Sequence, residues 1–591
     1  MKKTATILWA LLLSLFVSLP LYAEGVLAFP GAEGFGRFAT GGRGGTIYHV
    51  TNLNDSGEGS LRDAVSKPGR IIVFDVSGVI KLKSALVFSS NLTVLGQTAP
   101  GEGIQVYGER VSFSGANNII VRYMRFRMGV GGTSGKDACG VANGKNMIFD
   151  HLSALWGRDE CFSISWDKKG TVPTDITIQN SIIGQGLQSH SCGGLIQTEG
   201  GVTLYRNLYI ENKTRNPKVK GLNQFVNNVV YNWGGGGCYI MGDSEGPSWA
   251  HIENNYFMKG PWKGTAAFTR GNDNFKYYAA GNYYDTDADG TVNGHEMTDA
   301  EYDASGSYRI SDLETFDGVS RPKVHPEIAN MMSAEEALMW IIDSVGPCLP
   351  VRDEVDQYLI DELKSFGKKG STNGISSERD LPHGGTGTLY GGYKPLDTDG
   401  DGIPDEWELA NGLNPNDPSD AVAIADNGYA HIENYSFSIT SAYPYIKNPS
   451  ELKVAAQEKE SIALSWVDNA DNESGFVIEI STDNKTFTEA GRVAANVTTH
   501  TVSGLIPETV YYFRLKAYSD EGVNSLYTST LTTETIGDPS APKLSENPSP
   551  AVDAEVGTAN DVVFTWENAT KPYYGKVTYA VYAGTSPDNL E

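Results

Sequence analysis

Basic residues are scarce in this chain. Its 591 residues carry 46 Lys and Arg against 72 Asp and Glu, a formal net charge of −26 and a pI near 4.8. Such a surface repels polyanions on average and argues against nucleic acid as a partner. Any anionic substrate would need local cations or a bound metal. Cysteine is also scarce: Cys139, Cys161, Cys192, Cys238 and Cys348 are odd in number and show no zinc-site spacing. One or two disulfides at most are expected, and partly buried free thiols are an equal alternative. Long apolar runs are missing after residue 23, so no membrane span is expected. The glycine-rich stretch 29–45 has no strand pattern before it and no GxGxxG or GK[ST] motif, which excludes a dinucleotide or phosphate loop.

What is present begins with residues 1–23. Lys2 and Lys3, an apolar run over 7–21 and a small residue at Ala23 have the order of a signal peptide, implying export. Abundant Gly (67) and Tyr (30), with few long helical patterns, point to a β-rich chain with many turns, and the length implies several domains. After a short helical start at 60–65, short apolar strands follow one another from Ile71.

Those strands repeat. IIVRYMRF, MIFDHLSA, ITIQNSII, VTLYRNLYI, QFVNNVVY, HIENNYFM and YYAAGNYY share an alternating pattern, and the last five carry Asn180, Asn207, Asn228, Asn255 and Asn282. A step of 21 or 27 residues carried by short strands signals stacked coils, each unable to bury its apolar face alone. Asn at one place in each coil would form a side-chain ladder. The expected fold is all-β: a right-handed parallel β-helix followed by one or more β-sandwich modules.

Two helical patterns, 333–346 and 353–367, should pack outside the coils, the first opening with a Ser and a Glu three residues on. A Gly/Ser-rich stretch over 367–392 has the composition of a linker. DTDGDGIPDEWE follows. Asp397, Asp399, Asp401, Asp405 and Glu408 take positions 1, 3, 5, 9 and 12 of an EF-hand-type loop, with Gly402 at 6. It resembles the calcium-binding thrombospondin type 3-like repeats. A second stretch, 285–296, has acids at similar positions but is interrupted by Gly294, and stays open between a calcium loop and a solvated turn.

Strand patterns over 449–535, with Trp466 and with Tyr511 at the tyrosine corner, resemble a fibronectin type III domain. The expected organisation is a signal peptide (1–23), a β-helix with peripheral helices (24–370), a linker and calcium-binding loop segment (371–447), the fibronectin type III-like domain (448–536), and a linker with an incomplete sandwich (537–591).

The loop NKTRNPKVKG, 212–221, puts Lys213, Arg215, Lys218 and Lys220 into ten residues of an acidic protein, with Pro217 denying it a helix. Charge alone leaves open a solvated turn or an anion site. With AFPGAEGFGRFATGGRGG (28–45) and MIFDH (147–151), TRNPKVK (214–220) resembles the polysaccharide lyase family 1 pectate lyases across roughly 29–367. That resemblance implies a secreted, monomeric, calcium-dependent enzyme that cleaves polygalacturonate or pectin by β-elimination. It places the proton-abstracting arginine at Arg215, with Lys218 and Lys220 beside it and Lys220 where the family motif has a second arginine. It places Ca2+ carboxylates at Asp137 and Asp159. Gly135 and Ser163 stand where the family has acids, and Glu160 is adjacent to fill the gap. Asp150 and His151 are read as structural. A non-catalytic, carbohydrate-binding β-helix or adhesin is the alternative. GDSEG, 242–246, satisfies GxSxG, but no helical pattern follows, so a nucleophile elbow is disfavoured. The paired aspartates of a β-helical glycosidase are missing.

Overall fold

A computed structural model describes residues 25–242, 246–302, 308–309, 325–441, 444–520, 522–537, 563 and 565. The signal-peptide stretch, Ser244 of the GDSEG motif and nearly all of the C-terminal sandwich stretch lie outside the described residues. The centre of the molecule is a parallel β-helix. One sheet stacks nine parallel strands from Gly78–Lys81 to Tyr283–Asp285, and His295–Glu296 closes it antiparallel. A larger parallel sheet supplies the other walls, and strand Lys218–Val226 passes from one wall to the next, bending at Gly221.

Alternation along each strand decides what is inside. Met147 and Phe149 point into the long apolar core, while Ile148 points out and packs under the N-terminal segment. The glycines of that segment serve close approach. A Cβ on Gly36 would lie 2.2 Å from the Met147 carbonyl oxygen, and one on Gly42 would lie 2.1 Å from that of Arg70. The segment therefore lies backbone against backbone on the sheet.

The asparagine ladder exists, with one correction. Asn207, Asn228, Asn255 and Asn282 are fully buried, and each Nδ2 donates to the next Oδ1 at 3.0, 3.1 and 2.8 Å. Asn180 is not a rung. It stands one residue earlier, at a left-handed corner shared with His151, Arg206, Asn227 and Asn254, and donates instead to Asp150. Ser181 fills the rung, its N–H donating to Asn207 Oδ1. Asp150 also accepts from Arg122 and Gln179; those contacts and His151 hold its carboxyl well below the usual range, so it is structural.

Helices Ala334–Ser344 and Glu354–Leu363 cover the outside of the nine-strand sheet, the first with a full capping box from Ser333 and Glu336. The cap of the second, Asp353, also pairs with the fully buried Arg125 and Arg127. The 367–392 stretch is not a free linker. Glu378 is buried and accepts from Tyr107 Oη at 2.6 Å and Val130 N–H at 2.8 Å, and Ile375 bridges to Leu187. Farther on, Ile403, Ala421, Ile432 and Tyr435 pack on Ile71, Val73 and Leu95.

Antiparallel sheets of three and four strands then form a sandwich over Trp466, Phe476 and Phe513. Tyr511 Oη accepts from the Ile506 N–H, as a tyrosine corner requires. All five cysteines are unpaired thiols, four of them buried.

Candidate active site

Strands Cys139–Val141, Phe162–Ser165, Leu195–Gln197, Lys218–Val226 and Tyr239–Ile240 are successive rungs of one wall. The turns leading into them stack as well, through parallel bridges Glu160–Cys192, Cys192–Thr214 and Thr214–Gly237. Residues far apart in sequence thereby share one surface. Asp137 precedes the first rung, Asp159 and Glu160 the second, His190 and Cys192 the third, and Arg215 the fourth.

Arg215 lies in the left-handed region at φ 57°, and its side chain is 26% exposed. Its Nη1 donates to Glu160 Oε1. The neighbouring Glu160 backbone N–H donates to Asp137 Oδ1 at 3.3 Å. Burial and the Asp137 charge push the Glu160 carboxyl up to about 8, and burial, with Asp159 nearby, also raises Asp137. Partial burial alone would lower the Arg215 pKa, but its acidic neighbours, Cys192 and Glu160 first, outweigh that and raise it. In this arrangement the guanidinium stays charged beside Glu160, which becomes its counter-charge as pH rises through about 8.

The three predicted carboxylates therefore sit on adjoining turns. Asp159 Oδ1 is buried and lies 3.0 Å from His190 Nε2 in a geometry that leaves it without a hydrogen bond. Atoms of Asp159, Glu160, His190 and Cys192 all lie within 4.8 Å of one another. Burial drives the Cys192 thiol well above its ordinary value, which leaves oxygen as the dominant donor. The unsatisfied buried oxygen of Asp159 beside Glu160 suits a hard divalent cation; Asp137 lies on the preceding turn outside that cluster, its Oδ1 taken up by the Glu160 N–H. The departures at Gly135 and Ser163 have local reasons. Gly135 adopts φ 67°, and buried Ser163 Oγ accepts from the Leu195 N–H at 3.1 Å.

Lys218 and Lys220 flank buried Val219 and so share the outward face of their strand, in register with Leu195 and Gln197. Lys220 Nζ reaches towards Gly246, 3.3 Å from where a Cβ there would be. His190 and Cys192 escaped the sequence reading because no spacing marks them; only the stacking of turns brings them to Glu160.

The loop at 397–408 is partly as its spacing implies. Asp397, Asp399 and Asp401 converge. Asp405 does not join them: its Oδ1 accepts from the Thr398 N–H at 2.7 Å and its Oδ2 from the Thr398 hydroxyl at 2.6 Å. Glu408 converges with Asp401 and with Asp420, a residue outside the motif. The stretch 285–296 instead closes on itself. Asn293 Nδ2 donates to Asp287 and Asp289, Asp289 accepts from Thr291, and His295 pairs with Tyr284 across the hairpin.

Residues 447–534 match the fibronectin type III domain model. A protein of Aspergillus flavus named "Probable pectate lyase C" is 53% identical over 423 residues, covering 72% of this chain and 96% of the relative. Its namesake in Emericella nidulans is 55% identical over 414 residues, covering 70% and 93%. Among solved structures, jun a 1, the major allergen from cedar pollen, aligns at 18% identity and TM-score 0.38, over 53% of this chain and 92% of that one. With more than half of the aligned residues identical over nearly the whole length of those relatives, the chain belongs to the pectate lyase family and carries a fibronectin type III domain behind the lyase unit.

Proposed function

We propose that the β-helical unit, residues 24–370, cleaves polygalacturonate by β-elimination, as an exported monomer. The observation that carries this reading is the contact between Arg215 and Glu160 at the acidic turns, which sets a potential base beside a cluster of Asp159, Glu160, His190 and Cys192. Asp137, Asp159 and Glu160 would hold Ca2+, which would draw charge from a substrate carboxylate and so acidify the neighbouring C5 hydrogen.

The chain's own side chains do the rest. Lys218 and Lys220, two residues apart on one face, are placed to bind carboxylates along an anionic polymer that the −26 surface would otherwise repel. Arg215 takes the C5 proton, the freed electron pair forms the C4–C5 double bond as the C4–O bond breaks, and water protonates the departing oxygen. Arg215 must first let go of Glu160, and it must be neutral, which its acidic neighbours oppose. Activity should therefore rise on the alkaline side of neutrality; a peak in acid with none above pH 7 would contradict Arg215 as base.

The test is ultraviolet absorbance from unsaturated products when purified chain meets polygalacturonate. Absorbance should rise, stop on adding a chelator and return with calcium. Binding of the polymer without any rise would favour a non-catalytic adhesin.

A further inference from the structure

Glu408 is fully buried, and neither of its carboxylate oxygens has a hydrogen-bond partner. Buried Asp401 also has an unpartnered Oδ2, and Asp399 Oδ2 and Asp420 Oδ1 are buried without partners. Five oxygens from four carboxylates are thus left without a donor, in two clusters joined by Asp401: Asp397, Asp399 and Asp401 on one side, and Asp401, Glu408 and Asp420 on the other. Among the described residues, Lys394 at the margin is committed to Asp75 at 2.8 Å and Asp397 at 3.3 Å. Buried unpaired carboxylates are too costly to persist together without a counter-charge, and an all-oxygen set of this size suits calcium better than the octahedral, water-keeping magnesium.

We infer that Asp399, Asp401, Glu408 and Asp420, with Asp397 at the margin, form a structural Ca2+ site that clamps residues 395–440 onto the first coils of the β-helix. Asp420, and not Asp405 as loop spacing implies, completes it. The site joins two separate loops, which a motif confined to 397–408 would not do. Its consequence follows from what lies around it. Ile403 and Ala421, each next to a ligand-bearing turn, pack with Ile432 on Ile71, Val73 and Leu95. Helix His431–Ser438 is fastened separately by Glu433 to Arg43 at 2.8 Å. Farther along, Tyr445 and Asn448 contact Glu102 and Gly391 at the root of the sandwich domain. Cation binding at this site therefore holds the fibronectin type III domain in place on the lyase unit.

The test uses the full chain, stripped of metal and dialysed against buffered calcium, with bound calcium counted by atomic emission. The active cleft is common to all variants, so differences report on this site. Glu408→Gln and Asp420→Asn should each bind one calcium fewer than wild type, and Asp405→Asn the wild-type number. In the unsubstituted chain, calcium should raise the melting temperature and slow chymotrypsin cleavage at Trp407, Tyr429 and Tyr435. Folding failure does not protect the inference, because Glu408→Gln removes charge from the cluster and its chelated form should melt no lower than chelated wild type. An Asp420→Asn chain with a full calcium count, an Asp405→Asn chain lacking one ion, or digestion indifferent to calcium would each overturn it.

Discussion

Arg215 and Glu160, fifty-five residues apart, meet as an ion pair on adjoining turns of the β-helix. The guanidinium in this state hydrogen-bonds the buried acid of its own site and favours that acid's ionised form. The pair explains how Glu160 is tolerated beside Asp137 and Asp159, and it sets the condition for catalysis, since Arg215 cannot accept a proton while it serves Glu160.

Lys220 should act on substrate binding more than on turnover. Lys220→Ala should raise KM about tenfold, the order of one charge-assisted contact, with a smaller change in kcat. The effect should shrink as salt rises. Steady-state kinetics on polygalacturonate at two ionic strengths checks this, and a fall confined to kcat would assign Lys220 to the chemical step.

The asparagine ladder should be a main source of stability. Asn255→Ala takes the side-chain acceptor from the Asn228 N–H and one acceptor from Asn228 Nδ2, and removes one donor each from the Phe225 carbonyl and Asn282 Oδ1. Loss of several buried hydrogen bonds should cost about 2–4 kcal/mol in denaturant unfolding. Asn180→Ala should be milder in the ladder coils, because Asn180 bonds Asp150 rather than a rung.

A pH dependence of stability should come from Glu362. Burial and the Glu211 charge push its carboxyl up to about 8, against about 4.5 unfolded. A proton bound more tightly in the folded chain stabilises it fully below pH 4.5, and that contribution is lost as pH rises through 8. Glu362→Gln should thus raise the melting temperature at pH 9 and leave it nearly unchanged at pH 4. Equal shifts at both pH values would show that charge is not the cause.

Much of this was legible in the sequence, for identifiable reasons. The coils announced themselves because each must repeat its apolar pattern to share one core, and the helix caps because capping is local chemistry. The grouping of Asp137, Asp159 and Arg215 came from a family resemblance, with Glu160 added by adjacency, since nothing local links residues from separate turns. What escaped was registration and distance. Asn180 fits the repeat by eye yet lies one residue off the ladder, because a left-handed corner precedes each rung. The 367–392 stretch has the composition of a linker, yet one buried glutamate, Glu378, ties it to two separate parts of the coil wall. Asp420 could not be found by spacing, because it comes from a second loop.

The most direct measurement is the rate of unsaturated-product formation from polygalacturonate by Arg215→Ala and Arg215→Lys chains of wild-type fold and calcium content. Loss of a general base predicts a fall in kcat on the order of 10²–10⁴-fold for the alanine chain, with KM little changed. A partial return in the lysine chain, greatest at alkaline pH, is expected. An alanine chain whose kcat stays within a few-fold of wild type would contradict the assignment of Arg215 as the base.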